Sequence, residues 1–143
     1  MLEVGVGFVL PVCFVITINL VTTKYIAMIT ISIHGTDKKD AEQCIAIIAK
    51  AAVLSDFQVQ SLFFPSSDRV WGAVKIDKSR ILSKDVGMSD IAVVLETRLN
   101  IKHLSQGFKD NSIVIFNSPE KLSFPWLKKR RIKVYALDAT AIS

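Results

Sequence analysis

The chain has 143 residues, 50% of them apolar, which is enough for one domain with a buried core. Its net charge of +5 comes from 18 Lys and Arg against 13 Asp and Glu, which is a mild excess. The two cysteines, Cys13 and Cys44, form no CxxC pair and no metal-ligand spacing. This composition argues against a disulfide-built secreted domain and against an iron–sulfur ligand set of the chain's own. We expect a cytoplasmic protein in which Cys44 is buried within a helix.

The first 27 residues form an apolar segment. Val4 to Thr23 carries no charge and approaches the roughly 20 apolar residues that a membrane helix needs. Its glycines, Pro11 and Asn19 suit a helix poorly, and Glu3 at its start does not fit a signal peptide. Three interpretations stay open: a membrane anchor, an extra apolar segment or strand packed on the domain, or upstream sequence read from an early start codon. The third is favoured, because Met28 directly precedes the first strand of a complete α/β pattern.

After this segment the predicted elements alternate between strand and helix. Residues 28–34 form an apolar run typical of a buried strand, which Gly35 ends. A helix is predicted at about 38–54, since apolar residues recur there at steps of three and four, and Asp37 can cap its N-terminus. Residues 57–64 alternate in polarity at first and predict a second strand.

The second half of the chain continues the alternation. Val70–Asp77 predicts a third strand, and Gly72 within it indicates a bulge or a close backbone approach. A helix is predicted at about 98–107, with Gly107 as its C-cap. Further short strands are predicted at 91–96, 113–116 and 132–137.

This alternation predicts an α/β fold: a mostly parallel wound sheet with helices on both faces, formed by one domain over residues 28–143. No covering helix follows the last predicted strand in this sequence, so we expect the domain to be truncated at its C-terminus.

The turn after the first strand has the position of a phosphate-binding loop, because a strand, a glycine turn and a helix start can hold an anion on the helix N-terminus. Its sequence departs from such a loop, since Gly35 is the single glycine across Gly35–Asp40. Lys38 and Lys39 could bind a phosphate as point charges, but the two aspartates of the loop offset them.

Segments spread over about residues 28–142 resemble, in order, the gamma subunit or domain of 2-oxoacid:ferredoxin oxidoreductases, the family of the pyruvate and ketoisovalerate enzymes. They are Ile31–Gly35 with Ala46–Ala52, Phe64–Asp77, Ser89–Leu95, Gly107–Ser118 and Val134–Ile142. The family usually has Gly-x-Gly-Gly-Gln-Gly after its first strand, where this chain keeps only Gly35. In the stretch that the family fills with an aromatic–glycine pair and a basic–glycine run, this chain has Phe64-Pro65-Ser66 and Val70-Trp71.

The resemblance implies a complex that oxidatively decarboxylates a 2-oxoacid to an acyl-CoA and passes electrons to ferredoxin. It implies thiamine diphosphate and iron–sulfur clusters in other subunits, and a non-catalytic gamma-type subunit that faces CoA and docks to those partners. We expect no cofactor bound by this chain alone, no catalytic residue and no metal ligand. The candidate cofactor-binding residues are Gly35, Thr36, Lys38, Lys39, Arg69 and Gly72.

Other polar residues have plainer interpretations beside functional ones. His34 is either a ligand-facing imidazole or a strand-end histidine bonded to backbone, and His103 is expected on a solvated helix surface. Asp68 and Arg69 are expected to form a surface pair, and the alternatives are that they clamp the loop or contact a partner subunit. The basic run Lys128–Lys133 is expected to be a solvated loop.

Two alternative functions follow from these features. The first is a degenerate stand-alone domain without enzyme activity, anchored to a membrane by residues 4–23. The second is a basic module in which the Lys128–Lys133 run binds nucleic acid or another anion, although no nucleic-acid partner is expected.

Overall fold

A computed structural model of the chain describes residues 28–66 and 69–137. The interpretations of residues 1–27, the proposed pairing of Asp68 and the expected end of the domain at 138–143 lie outside these described residues. None of the helices in the described part of the chain combines the length and apolar content that a membrane crossing requires.

A six-stranded sheet is the centre of the fold, with the strand order β2-β3-β1-β4-β5-β6. The strands are β1 (Met28–Gly35), β2 (Gln58–Pro65), β3 (Val70–Asp77), β4 (Ser89–Val94), β5 (Phe108–Asn117) and β6 (Lys133–Leu137). The helices are α1 (Lys38–Leu54), α2 (Ile101–Leu104) and α3 (Pro125–Lys129), and a 3-10 turn at Ser105–Gly107 follows α2. β1, β4, β5 and β6 pair in parallel, whereas β3 lies antiparallel between β1 and β2. The predicted α/β class and mostly parallel sheet are confirmed.

Helices cover both faces of the sheet, as predicted. On the first face α1 packs its buried residues against alternate apolar residues of four strands; this core contains Ile29, Ile31, Ile33, Ala41, Cys44, Ile45, Ile48, Ala52, Val70, Val74, Ile76, Ile91, Val93 and Ile115. On the second face α2 and α3 cover β4 and β5; this core contains Ala92, Val94, Ile101, Leu104, Phe108, Val114, Phe116, Leu127 and Ile132. Cys44 is buried at 1% exposure, which confirms its predicted environment.

The start and the packing of α1 follow from two local features. The side chain of Asp37 accepts a hydrogen bond from the backbone N–H of Asp40 at 3.1 Å, which is the predicted N-cap. Gly72 of β3 lies beneath the helix, and a Cβ there would stand 2.5 Å from Ile45 Cδ1 and 2.6 Å from the Leu62 carbonyl oxygen. The pairing of β3 with both neighbours is continuous through Gly72, so the glycine serves a close approach and not a bulge.

The part of the second face formed by β1 and β3 is polar although it is buried. Thr30, Ser32, His34 and Lys75 all have exposures of 7% or less and point away from α1. The Lys75 amine donates a hydrogen bond to the Ser83 carbonyl oxygen at 2.9 Å, within the connection between β3 and β4. This connection therefore lies against the polar part of the sheet.

The predicted helix at 98–107 is wrong in extent. Helix α2 is a single turn capped by Asn100, and the 3-10 turn leads directly into β5, where Phe108 pairs with Ser89. Strand pairing across the sheet thus ends the helical segment early. Gly107 does not act as a left-handed C-cap, because its φ is not positive. Among the described glycines, Gly87 is the one with a positive φ.

Two further differences lie in the same half of the chain. β5 begins five residues before the predicted strand at 113–116. Its first half is mostly polar, so the apolar pattern begins late, and its register with β4 shifts between Ser89 and Ile91. Helix α3 occupies Pro125–Lys129, where no helix was predicted; its five residues are too few to show helical periodicity.

Candidate functional site

A cavity of about 340 Å³ opens on the polar part of the second face. Its lining comes from β1, β3, the connection before β4, α2 and the start of β5: Ser32, His34, Arg69, Trp71, Val86, Gly87, Ser89, His103, Leu104, Gln106, Gly107 and Phe108. We call it the His34 cavity. Its lining, within the described part of the chain, contains no carboxylate and combines aromatic side chains with several hydrogen-bond donors.

His34 is the most deeply buried ionisable group of this cavity. Its Nε2 lies 3.0 Å from Ser32 Oγ, and Ser89 Oγ donates to the same Ser32 oxygen at 2.6 Å. Its Nδ1 is buried and has no hydrogen-bond partner among the described residues. Burial and, second, the positive charge of Arg69 lower the pKa of His34 to about 4, so the imidazole is neutral at pH 7. Its partner is a serine hydroxyl, where the plainer interpretation expected backbone.

Aromatic rings form one wall of the cavity, and the sheet register places them. His34 stands opposite Trp71, and Trp71 opposite Phe64, across three neighbouring strands. The Phe64 and Trp71 rings stack with centroids 4.5 Å apart, and Phe108 meets the imidazole edge-on at 6.0 Å. Backbone pairing therefore holds the lining rings of His34 and Trp71 side by side, and Phe64 supports Trp71 from outside the lining.

Arg69 lies at the rim of the cavity, at the end of the loop between β2 and β3. Its carbonyl oxygen accepts hydrogen bonds from the N–H and the hydroxyl of Ser66, at 3.0 and 2.5 Å. Its guanidinium forms no ion pair with any described residue. A second cavity of about 410 Å³, lined by Arg98 and Asn100 among others, shares Arg69, His103 and Leu104 with the first. The arginine thus stands between two adjoining spaces.

The predicted phosphate-loop position lies at the carboxyl ends of β1 and β4. The Thr36 hydroxyl donates to Glu96 Oε1, and Arg98 Nε lies 2.5 Å from Glu96 Oε2. Burial and then the negative charge of Asp37 raise the pKa of Asp40 beside this loop. The Glu96 carboxylate therefore lies beside this loop, where a phosphate group of a ligand was considered.

The six candidate cofactor-binding residues lie in three places. Arg69 lines the His34 cavity, while Gly72 lies on the opposite face beneath α1. Gly35 is buried beside Leu95, Thr36 is half-buried, and both Lys38 and Lys39 are exposed. Ligand binding by these residues stays a prediction, and the geometry does not unite them in one site.

Several lining residues escaped the sequence analysis. Trp71 is two positions from Arg69, but only the antiparallel register of β1 with β3 brings it beside His34. Ser89 reaches Ser32 across 57 positions of sequence, for which no local signal exists. His103 is exposed on α2, as expected, although it also lines both cavities.

The basic run Lys128–Lys133 is not one continuous loop, because its first residues close helix α3. Arg130 turns inward: its Nε lies 2.7 Å from Asp110 Oδ1, its Nη1 donates to the Ser105 carbonyl oxygen at 2.8 Å, and its Nη2 donates to the Phe108 carbonyl oxygen. The guanidinium at the centre of the run is therefore occupied by the protein itself.

Across the described ranges, no three His, Cys, Asp or Glu side chains are grouped so that they could hold a metal ion.

The architecture defines the chain as an open α/β domain whose central strand β1 is flanked by the antiparallel β3 and the parallel β4. No family model and no curated protein matches the sequence. Solved structures do match the fold. A pyruvate oxidoreductase subunit from Thermotoga maritima matches with a TM-score of 0.65 and 20% identity, over 81% of this chain and 65% of that one.

Two further structures give the same result. The gamma subunit of a keto/oxoacid ferredoxin oxidoreductase from Geobacter sulfurreducens matches with a TM-score of 0.60 and 16% identity, over 78% of this chain and 61% of that one. A 2-oxoglutarate:ferredoxin oxidoreductase from Magnetococcus marinus, with 2-oxoglutarate, coenzyme A and succinyl-CoA bound, matches with a TM-score of 0.59 and 14% identity, over 79% of this chain and 20% of that one.

The chain therefore has the fold of the gamma subunits of 2-oxoacid:ferredoxin oxidoreductases, in agreement with the resemblance in sequence. It spans less than two thirds of the length of each of these three structures.

Proposed function

We propose that this chain is a non-catalytic, gamma-type subunit of a 2-oxoacid:ferredoxin oxidoreductase. The observation that carries the proposal is the fold match over 81% of the chain to a pyruvate oxidoreductase subunit. The ordered resemblance of segments between residues 28 and 142 supports it independently, because it was drawn from sequence alone.

In this proposal the chain contributes docking, and its partner subunits contribute the chemistry. Thiamine diphosphate and iron–sulfur clusters would sit in those partners, where a 2-oxoacid is decarboxylated to an acyl-CoA and ferredoxin is reduced. The assembly would work in the cytoplasm. A docking role requires a stable scaffold, and the hydrophobic cores on the two faces of the sheet provide one.

An anaerobic affinity purification tests the proposal. The tagged chain would be expressed in its native host, once from Met1 and once from Met28, and the retained proteins identified by mass spectrometry. A thiamine- and iron–sulfur-containing partner in stoichiometric amount is the expected result. Recovery of the folded chain alone from both versions would overturn the subunit role.

A matched variant separates specific partners from background. In Gly72→Val the added atoms would collide with Ile45 and with the Leu62 carbonyl oxygen, so the contact of α1 with the sheet should fail. Partners that depend on the fold should be lost from this variant, whereas proteins that adhere to the tag should remain.

A CoA-facing role of the loop after β1 is the finer part of the proposal. Lys38 and Lys39 are exposed at the start of α1 and could meet the phosphates of CoA within the complex. The double variant Lys38→Gln/Lys39→Gln should then raise the KM of the purified complex for CoA and leave its KM for the 2-oxoacid unchanged. Lys50→Gln on the same helix is the matched control, and an unchanged KM for CoA in the double variant would refute this role.

A further inference from the structure

We propose that the His34 cavity binds a small organic carboxylate with a flat, apolar body, whose carboxylate pairs with Arg69. This proposal does not depend on the subunit role, because it concerns the chain by itself.

The charge of the cavity is the first argument. The Arg69 guanidinium has five N–H donors and no ion-pair partner among the described residues, and none of the described lining residues is a carboxylate. A half-buried guanidinium that no described carboxylate neutralises favours an anion, and a carboxylate can accept two parallel hydrogen bonds from it.

The number of charges distinguishes a carboxylate from a phosphate. His34 is neutral at pH 7, so Arg69 is the residue with a permanent positive charge among the described residues that line the cavity. Arg98 in the adjoining space is already paired with Glu96. One free positive charge matches a monoanion, whereas a phosphate with a second negative charge would leave that charge poorly compensated.

The apolar walls determine the rest of the ligand. Trp71, Leu104 and Phe108 line the cavity, and the His34 imidazole stands among them as a neutral ring. A volume of about 340 Å³ lies near the small end of the range known for ligand pockets. An acetate-sized anion would leave these walls uncovered, while a ring-sized body would cover them.

The polar groups inside the cavity suit a ligand that has a second hydrogen-bonding atom. His34 Nδ1 is buried without a partner among the described residues, which is costly for a polar atom inside a protein. A polar ligand group that reaches this nitrogen would satisfy it.

The proposal is tested by measuring the binding of benzoate, benzamide and inorganic phosphate to the full chain with ¹H–¹⁵N NMR. Benzamide has the shape of benzoate without its charge, and phosphate has charge without a ring. We expect benzoate to bind at least about tenfold more tightly than benzamide, a difference of about 1.4 kcal/mol, and more tightly than phosphate. The indole signal of Trp71 should shift. That of Trp126, which is part of α3 and packs against the core of the second face, should not.

Variants of two arginines place the carboxylate. Arg69→Gln should abolish the preference for benzoate over benzamide, and Arg69→Lys should keep part of it. Arg80→Gln, which removes the same charge from an exposed position outside the cavity lining, should have no effect.

Three results would overturn the proposal: equal affinities for benzoate and benzamide, tighter binding of phosphate than of benzoate, or equal losses in the Arg69→Gln and Arg80→Gln variants. The first two come from the unmodified chain, so they decide the question even if a substitution impairs folding.

Discussion

The imidazole of His34 lies parallel to the indole of Trp71, with the two ring planes 8° apart and their centroids separated by 6.3 Å. The antiparallel pairing of β1 with β3 sets this relationship, since it places the two residues directly opposite each other. On its other side the imidazole is closed off by Phe108. Burial in this position disfavours a positive charge on the imidazole, because it removes much of the water that would solvate the charge.

Acid should therefore destabilise the protein through His34. Its pKa is about 4 in the folded state and 6.5 as an unperturbed group, so only the unfolded chain takes up this proton between the two values. Well above pH 6.5, neither state takes up this proton and His34 causes no loss of stability. As the pH drops from 6.5 to 4, the free energy of unfolding should fall by about 3 kcal/mol. Urea unfolding between pH 7.5 and pH 4 measures this loss.

His34→Gln should remove most of this acid sensitivity, while His103→Gln, which changes the exposed histidine, should retain it. Equal acid sensitivity in both variants would mean that carboxylates and not His34 cause the loss.

Gly72 should tolerate no side chain. Gly72→Ala would bring a Cβ to 2.6 Å from the Leu62 carbonyl oxygen, a backbone atom that cannot turn aside. We expect the free energy of unfolding to fall by about 2 kcal/mol or more. Gly107→Ala is the control, since a Cβ there meets no atom within 4 Å and should cost little. Comparable losses in the two variants would show that strand entropy, and not the packing of α1, decides the effect.

Lys75 should hold the connection between β3 and β4 in place without stabilising the domain as a whole. Lys75 as a residue is 1% exposed, and its amine donates to the Ser83 carbonyl oxygen. Lys75→Met keeps the length of the side chain and removes a buried charge, so the free energy of unfolding should stay within about 1 kcal/mol or rise. Cleavage by chymotrypsin after Leu82, which is 80% exposed, should become several times faster.

Lys78→Met, an exposed lysine of the same connection, should not change the rate of cleavage after Leu82. An unaltered rate in Lys75→Met would show that other contacts hold the segment.

Arg130 should be replaceable by lysine only at a cost. Its fork contacts Asp110 and the carbonyl oxygens of Ser105 and Phe108, and a lysine amine cannot reach all three acceptors in that geometry. We expect Arg130→Lys to lower the free energy of unfolding by about 1–2 kcal/mol, measured by urea unfolding. Arg131→Lys, at the exposed neighbouring position, should be close to neutral, and equal effects would contradict the structural role of Arg130.

The fold was predictable where its signals are local. Strand β3 at Val70–Asp77 and helix α1 at about 38–54 lie where they were predicted, because β3 is a short, largely apolar run and α1 keeps a helical period of 3.6. The placement of β3 between β1 and β2 was not predictable, since it depends on pairing between distant segments. The short helix α3 was not predicted, because its five residues are too few to show a helical period in polarity.

The candidate site was predictable only in part for the same reason. Arg69 was among the predicted residues, and it does line a cavity. Strand pairing brings Trp71 and Phe108 beside His34, and no pattern in the sequence around either residue predicts that pairing. The loop after β1 was predicted as a ligand site because a strand, a glycine turn and a helix start follow one another there. The contact of Glu96 with Thr36, 60 positions apart, could not be predicted from that local pattern.

The central position of β1 has a consequence during synthesis. Among the described strands β1 leaves the ribosome first, yet its neighbours are β3 and β4, and the second of them ends at Val94. At a translation rate of roughly 5–20 residues per second, about 3–12 s separate the appearance of β1 from that of its last partner. Throughout that interval a strand whose isoleucines are destined for the core has at least one open edge, which is the kind of surface that other nascent chains adhere to. We therefore expect overexpression that exceeds the available chaperones to yield aggregates that form through β1.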